Sequence, residues 1–373
     1  MGGKKPSLSQ SEPSSKHGGV TAPNGKSESK KPGIASSDQQ IEKIVIITRQ
    51  TRMEESIKRF NTQSQARYFV ESRGQSFDDY VAEYDNYQHA RDAVLKCIPG
   101  DVRFQVIDRT MLPNFLFGPG DLALTLGQDG LVVNAAKYLE GQPVLALNPD
   151  PDRFDGVLLP FLWSEAAHRI EQALDGELAK KYITMARADL NDGQHLYAFN
   201  DFFIGASSHI SARYTLQFDE KKERQSSSGI IVSTPAGSTG WLSSLYNMAT
   251  GIQTFRGAKS DFAGKSKLSA TSKGPSGSHP GRVKGAGSAQ ETMQWDERRL
   301  VFVVREPFRS NWSGADLVAG ELDEDGALSI ESHMPEGGVI FSDGMLEDFL
   351  QFNSGATATI KIAEKKTSLL VSP

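Results

Sequence analysis

The chain has 373 residues, 38% hydrophobic and 23% charged, enough for two globular domains of ordinary size plus tail and loop material. A net charge of −5 gives general nucleic-acid binding no electrostatic support, and a single cysteine, Cys97, excludes an intrachain disulfide. No apolar run approaches the roughly 18–20 residues of a membrane span. The N-terminus lacks a secretory apolar core, and no arginine precedes Arg49, so the expected setting is cytoplasmic, away from membranes.

Residues 1–40 are rich in Ser, Gly, Lys and Pro with almost no large apolar side chain, so a disordered tail is expected there. The β-branched run Ile44-Val45-Ile46-Ile47 predicts the first buried strand. From Glu54 to about Leu95 the pattern is polar and helical, with Tyr and Phe scattered through it. A second Gly-, Ser- and Lys-rich stretch, 252–292, predicts a disordered surface insertion, because regular structure resumes beyond it and loop closure costs little with length. Gly264-Lys265-Ser266 is no phosphate-binding P-loop, since Lys259 stands where that motif needs glycine; Gly25-Lys26-Ser27 fails likewise at Val20. His168, His195, His209 and His333 lie too far apart for a local zinc motif.

Three constellations carry candidate chemistry. Asp121–Leu126 reads as a buried strand running into Gly127-Gln128-Asp129-Gly130, then a helix over Leu131–Leu139, then a strand at Pro143–Leu147. That order is a β-loop-α-β unit of a parallel sheet. A glycine-bounded loop at a helix N-terminus lets backbone N–H groups approach phosphates. Asp129, its one acid, suits proton acceptance or metal arrangement, although helix capping accounts for it equally. Second, the strand Gly229–Ser233 leads into Thr234-Pro235-Ala236-Gly237-Ser238-Thr239-Gly240 and a helix opening at Trp241. Small residues, hydroxyls and an aromatic there offer a close approach and a stacking surface to a nucleotide; a plain loop remains the alternative. Third, Asn200-Asp201 interrupts the apolar run Tyr197–Gly205. In a strand one of the pair faces inward, where an unpaired polar group costs about 1–3 kcal/mol, so a ligand or a self-satisfied turn must meet it.

Together and in this order, the motifs resemble the NAD kinase family, which carries a GGDG turn, an Asn-Glu or Asn-Asp pair and an STPTGSTAY turn. Thr51-Arg52, Asn148-Pro149-Asp150-Pro151-Asp152-Arg153, Gln225–Gly229 and Val304-Arg305-Glu306-Pro307 resemble its branch of mitochondrial-type enzymes and their bacterial relatives. The resemblance spans roughly residues 41–365 without the insertion. It implies an N-terminal α/β domain with a parallel sheet (41–160) and a C-terminal β-sandwich-like, NAD-binding domain (161–345). A last segment, 346–373, would return to the first domain. It implies ATP and NAD as substrates, Mg²⁺ with ATP, and a homodimer or higher homo-oligomer. Asp129 would be the base at the ribose 2′-hydroxyl. Gly127, Gln128 and Gly130 would face phosphates, and Asn200 and Asp201 the adenosine. Thr234, Thr239, Gly240 and Trp241 would border the dinucleotide, and Ser228 stands where many members place an acid toward adenine. Asp343-Gly344 resembles a further family turn. Gln128 replaces a glycine, Leu131 a threonine and Trp241 a tyrosine. Gln128 therefore leaves room for a catalytically impaired nucleotide sensor, and the shared GGDG-like turn for a lipid or sugar kinase.

Overall fold

The computed structural model describes residues 40–264, 293–345 and 348–373, all within one compact unit. The expected tail, but for residue 40, and positions 265–292 of the expected insertion lie outside the described residues.

The first half alternates strands and helices: β1 (Lys43–Thr48), α1 (Arg52–Phe60), α2 (Gln63–Glu71), α3 (Asp78–Lys96), β2 (Arg103–Asp108), β3 (Asp121–Leu126), α4 (Asp129–Ala136), β4 (Pro143–Asn148), β5 (Phe161–Leu162) and α5 (Ala166–Leu174). β2, β1, β3, β4 and β5 pair in parallel in that spatial order. Side chains alternate faces along each strand. Val45, Ile47, Ala123, Val144 and Ala146 pack toward α4. Ile44, Ile46, Leu122, Leu124, Leu145 and Leu147 pack toward α3 and α5. A strand buried on both faces reads as an unbroken apolar run, which is why these strands stand out in the sequence. Thr51 caps α1 through a capping box with Glu54.

The second half is mainly β: β6 (Ala179–Leu190), β7 (His195–Ala198), β8 (Asp201–Ala206), β9 (Ala212–Phe218), β10 (Lys221–Ser227), β11 (Ile230–Ser233), α6 (Trp241–Gly264), β12 (Leu300–Val304), β13 (Ala319–Leu322), β14 (Leu328–Ser332), β15 (Gly338–Ser342), β16 (Phe349–Gln351) and β17 (Thr357–Val371). One antiparallel sheet runs β13-β12-β11-β8-β15-β16. β10, β9, β14 and β17 continue the parallel sheet instead, with β6 hydrogen-bonded to β17 and β7 to β6. The two sheets face each other over one apolar core that includes Phe202, Ile204, Val232, Phe302, Tyr214, Ile330 and Ile360. β17 shifts register between Ile362 and Lys366, and its last residues pair in parallel with β4 through Ser368 and Leu369. An α/β layer thus joins a β-sandwich. The expected start of the insertion near Ile252 needs correction: α6 runs on to Gly264.

Candidate functional site

Gly127 ends β3 in a crowded spot. Its N–H donates to the Leu147 carbonyl at 3.3 Å, and a Cβ there would press on the Leu131 side chain. Gln128 is exposed and occupies the N-cap of α4 without a capping hydrogen bond. Asp129 is therefore not the cap; it opens the helix itself. Its Oδ1 accepts a 2.6 Å hydrogen bond from the Leu158 backbone N–H, which ties the loop before β5 to the helix start. Its Oδ2 has no protein partner among the described residues. The Leu131 N–H donates to the Gln128 carbonyl at 2.8 Å, whereas the N–H groups of Asp129 and Gly130 have no carbonyl one turn earlier, so the turn sets open donors beside one free carboxylate oxygen.

Asn200 falls in the gap between β7 and β8, where its backbone is held from both sides. The Asp343 carboxylate accepts the N–H groups of Phe199 (3.0 Å), Asn200 (2.6 Å) and Asp201 (3.3 Å). Asp343 does so from the left-handed region, at φ 55°, with Gly344 following at φ 70°. On the other side the Thr234 N–H donates to the Asn200 carbonyl at 2.8 Å, and the Thr234 hydroxyl donates to the Phe199 carbonyl at 2.5 Å. Gly237 lies so close that a Cβ there would run into the Asn200 carbonyl oxygen. The glycine of this turn is therefore required by backbone-to-backbone approach, and the fully buried Thr234 works as a clamp.

Two carboxyl groups meet at this clamp. Burial and, secondarily, the Asp343 charge push Asp201 up from 3.8 to about 7. Burial also pushes Asp343 up, against the pull of the Lys137 ammonium and its three N–H donors. Lys137 follows α4 directly and pairs with Asp348 at 2.6 Å, so the helix that Asp129 opens is also anchored beside the Asp343 turn.

A cavity of about 820 Å³ is lined by Asp129 and Gly130, by Asn200 and by Thr239, bringing the three separate motifs to one place. Arg109, Asn134, Trp295 and Asp343 also line it. A smaller recess of about 310 Å³ shares Asp343 and Gly344 with it and is lined by Asp201, Trp241 and Arg305. There Trp241 stacks on Phe203 at 5.9 Å, with the Arg305 guanidinium 5.4 Å from the Trp241 ring centre. Gly127, Gln128, Thr234 and Gly240 line neither space. Ser228 also lies outside both and donates to Glu306 at 2.6 Å. Motif reasoning does not single out Arg109 or Asn134. Asn134 sits inside an apolar helical run, and Arg109 stands 20 residues before Asp129. Among the described residues no cluster of three or more His, Cys, Asp or Glu is placed to hold a metal ion, and no helix is long and apolar enough to cross a membrane.

No family model matches the chain. The NAD kinase of Azoarcus sp. (strain BH72) is 31% identical over 127 residues, which are 32% of this chain and 43% of that protein. The NAD kinase of Alcanivorax borkumensis is 32% identical over 128 residues, covering 32% and 42% respectively. The chain thus spans less than half the length of the curated relatives it matches. Over the fold as a whole, the crystal structure of yeast NADH kinase complexed with NADH superposes with a TM-score of 0.50 at 14% identity, covering 90% of this chain and 85% of that one. The chain is thus similar in sequence to curated NAD kinases over about a third of its length, and it shares its overall fold with yeast NADH kinase.

Proposed function

We propose that the chain transfers the γ-phosphoryl group of ATP to the 2′-hydroxyl of NAD's adenosine ribose, giving NADP. The carrying observation is the single cavity shared by Asp129, Asn200 and Thr239, whose volume suits a bound nucleotide. With Oδ1 engaged by Leu158, Asp129 Oδ2 is the atom that takes the ribose 2′-OH proton. The 2′-oxygen then forms its bond to the γ-phosphorus as the bond to the ADP oxygen breaks. Positioning and charge neutralisation dominate such a transfer, and Mg²⁺ accompanying ATP would supply part of that neutralisation. Arg109, in the same lining, has no hydrogen-bond or ion-pair partner among the described residues and would offset the charge of the moving phosphate. Gly127, Gln128 and Gly130 present the helix N-terminus to the donor. Gln128 points a polar side chain outward at an exposed position, which supports a working turn over a blocked one. Asn200 and Thr239 hold the acceptor, while Asp201 and Trp241 face its continuation into the smaller recess.

The same proposal places the reaction in the cytoplasm, on composition, and the chain in a homodimer or larger assembly, on its family resemblance. Incubation of the purified chain with ATP, Mg²⁺ and NAD tests the function. NADP formed in stoichiometric exchange for ADP supports it. NAD binding without NADP would support a sensor instead, and phosphorylation of a lipid or sugar in preference to NAD would move the assignment to another substrate.

A further inference from the structure

We propose that Asn134 reads the base of the phosphoryl acceptor, its side-chain amide pairing with the neighbouring donor and acceptor on the edge of NAD's adenine. This inference rests on the NAD kinase reading above and adds a specificity-determining residue to it.

Asn134 is 6% exposed and lies in α4 within Leu131–Ala136, six consecutive buried residues of which it is the one polar member. A buried amide at such a position is poorer for the helix than Ala or Leu. It makes no side-chain hydrogen bond among the described residues, yet it lines the large cavity. Left unmatched, a buried amide costs about 1–3 kcal/mol. Its position says what could match it. Gly130 and Asn134 are four residues apart and so share one face of α4, about 6 Å apart along the axis. Asn134 therefore lies one turn deeper than the turn carrying Asp129. If Asp129 faces the 2′-hydroxyl, the base on that same ribose lies within reach of the next turn. Around it the lining is apolar: Val133, Val157, Leu158, Phe199 and Ala236. Such walls accept the faces of a planar ring and leave the amide as the polar contact at its edge. A neutral amide offers one donor and one acceptor in a plane, which suits an adenine edge and suits a phosphate poorly.

ATP carries the same base, and the nicotinamide carboxamide presents similar chemistry, so the test must separate three sources. Binding to the full chain is measured by calorimetry for NAD without ATP and for ATP without NAD. Two analogues complete the set: a dinucleotide with hypoxanthine in place of adenine, and one with acetylpyridine in place of nicotinamide. Asn134→Leu keeps the branching of the side chain while removing its amide, and it improves the helix, so its urea midpoint should not fall. The unaltered chain should bind NAD roughly tenfold or more tighter than the hypoxanthine analogue, the discrimination typical of a two-point amide contact. Asn134→Leu should weaken NAD by that factor and erase the preference, with ATP affinity and the preference for nicotinamide over acetylpyridine unmoved. Asn134 is misassigned if the variant keeps the adenine preference, if NAD and the hypoxanthine analogue weaken alike, or if only ATP or the acetylpyridine comparison changes. Failure of the unaltered chain to bind NAD at all would sink the kinase reading along with this inference, whereas the other outcomes sink this inference alone.

Discussion

Asp201 should make the protein less stable as the solution becomes more alkaline between pH 4 and 7, and Asp201→Asn should remove that loss. In the folded chain burial, followed by the neighbouring Asp343 charge, raises the Asp201 carboxyl from 3.8 to about 7. The other charged groups around this clamp are Lys137, which follows α4, and Arg305, which shares the smaller recess. Below pH 4 the group is protonated in both folded and unfolded chains, so its contribution is fully present. As pH rises, the unfolded chain releases the proton first, and stability falls until the folded group ionises near pH 7. Each pH step is worth about 1.4 kcal/mol, so the full interval gives about 4 kcal/mol, or about 2–4 after allowing for solvent screening of a half-buried group. Asparagine cannot ionise and has nearly the same shape. Urea unfolding of the two proteins at pH 4, 6 and 8 should therefore give closely similar midpoints at pH 4. At pH 8 the variant should be the more stable by about 2–4 kcal/mol. A difference that stays constant with pH, or a variant less stable at pH 8, would refute this account of the clamp.

Gly237→Ala should force the Asn200 carbonyl aside, costing about 1–3 kcal/mol by overpacking and raising KM for NAD while KM for ATP changes little. Steady-state kinetics and a urea midpoint check both parts. Glu83 is buried between Arg49 (2.8 Å) and Arg52 (2.5 Å), which follow the end of β1. Burial pushes its carboxyl up, but the hydrogen bonds and charges of the two arginines outweigh that and hold it below 4.5. Its stabilisation is thus present above pH 4.5 and lost as pH falls through the depressed folded value. Glu83→Gln should cost about 2–3 kcal/mol at pH 7, because two guanidinium groups lose their shared anion, and the gap should close in acid.

The strands around the first turn were legible in the sequence because Ile44–Ile47, Leu122–Leu126 and Val144–Leu147 are buried on both faces, and no polar residue but Thr125 breaks the runs. The order strand, GQDG, helix, strand then dictated a parallel pair. The clamp around Asn200 was not legible, because hydrogen bonds that hold it come from Thr234 and from Asp343, the latter more than 140 residues away. Local pattern reports which residues must be buried, whereas backbone capture by a distant carboxylate leaves no periodic trace. The same reason hides Thr234's role: its motif suggests a ligand border, and the fold uses it to hold the Asn200 backbone beside the cavity. The continuation of α6 beyond Ile252 was obscured by Gly251, Gly257 and Gly264, and by exposed Tyr246, Met248 and Ile252, which leave no apolar stripe facing a core. Asn134 was hidden by the opposite effect, since one amide scarcely alters an apolar helical run. Sequence similarity to curated relatives covers about a third of the chain, so the joining of the two halves through β17 is a finding of the fold.

The most direct measurement of the central claim is the turnover of Asp129→Asn with saturating ATP, Mg²⁺ and NAD, alongside its affinity for NAD. If the free oxygen of Asp129 accepts the ribose proton, kcat should fall by roughly 10²–10⁴-fold while NAD affinity stays within a few-fold of the unaltered protein. An Asp129→Asn protein turning over NAD at the original rate would contradict the mechanism outright.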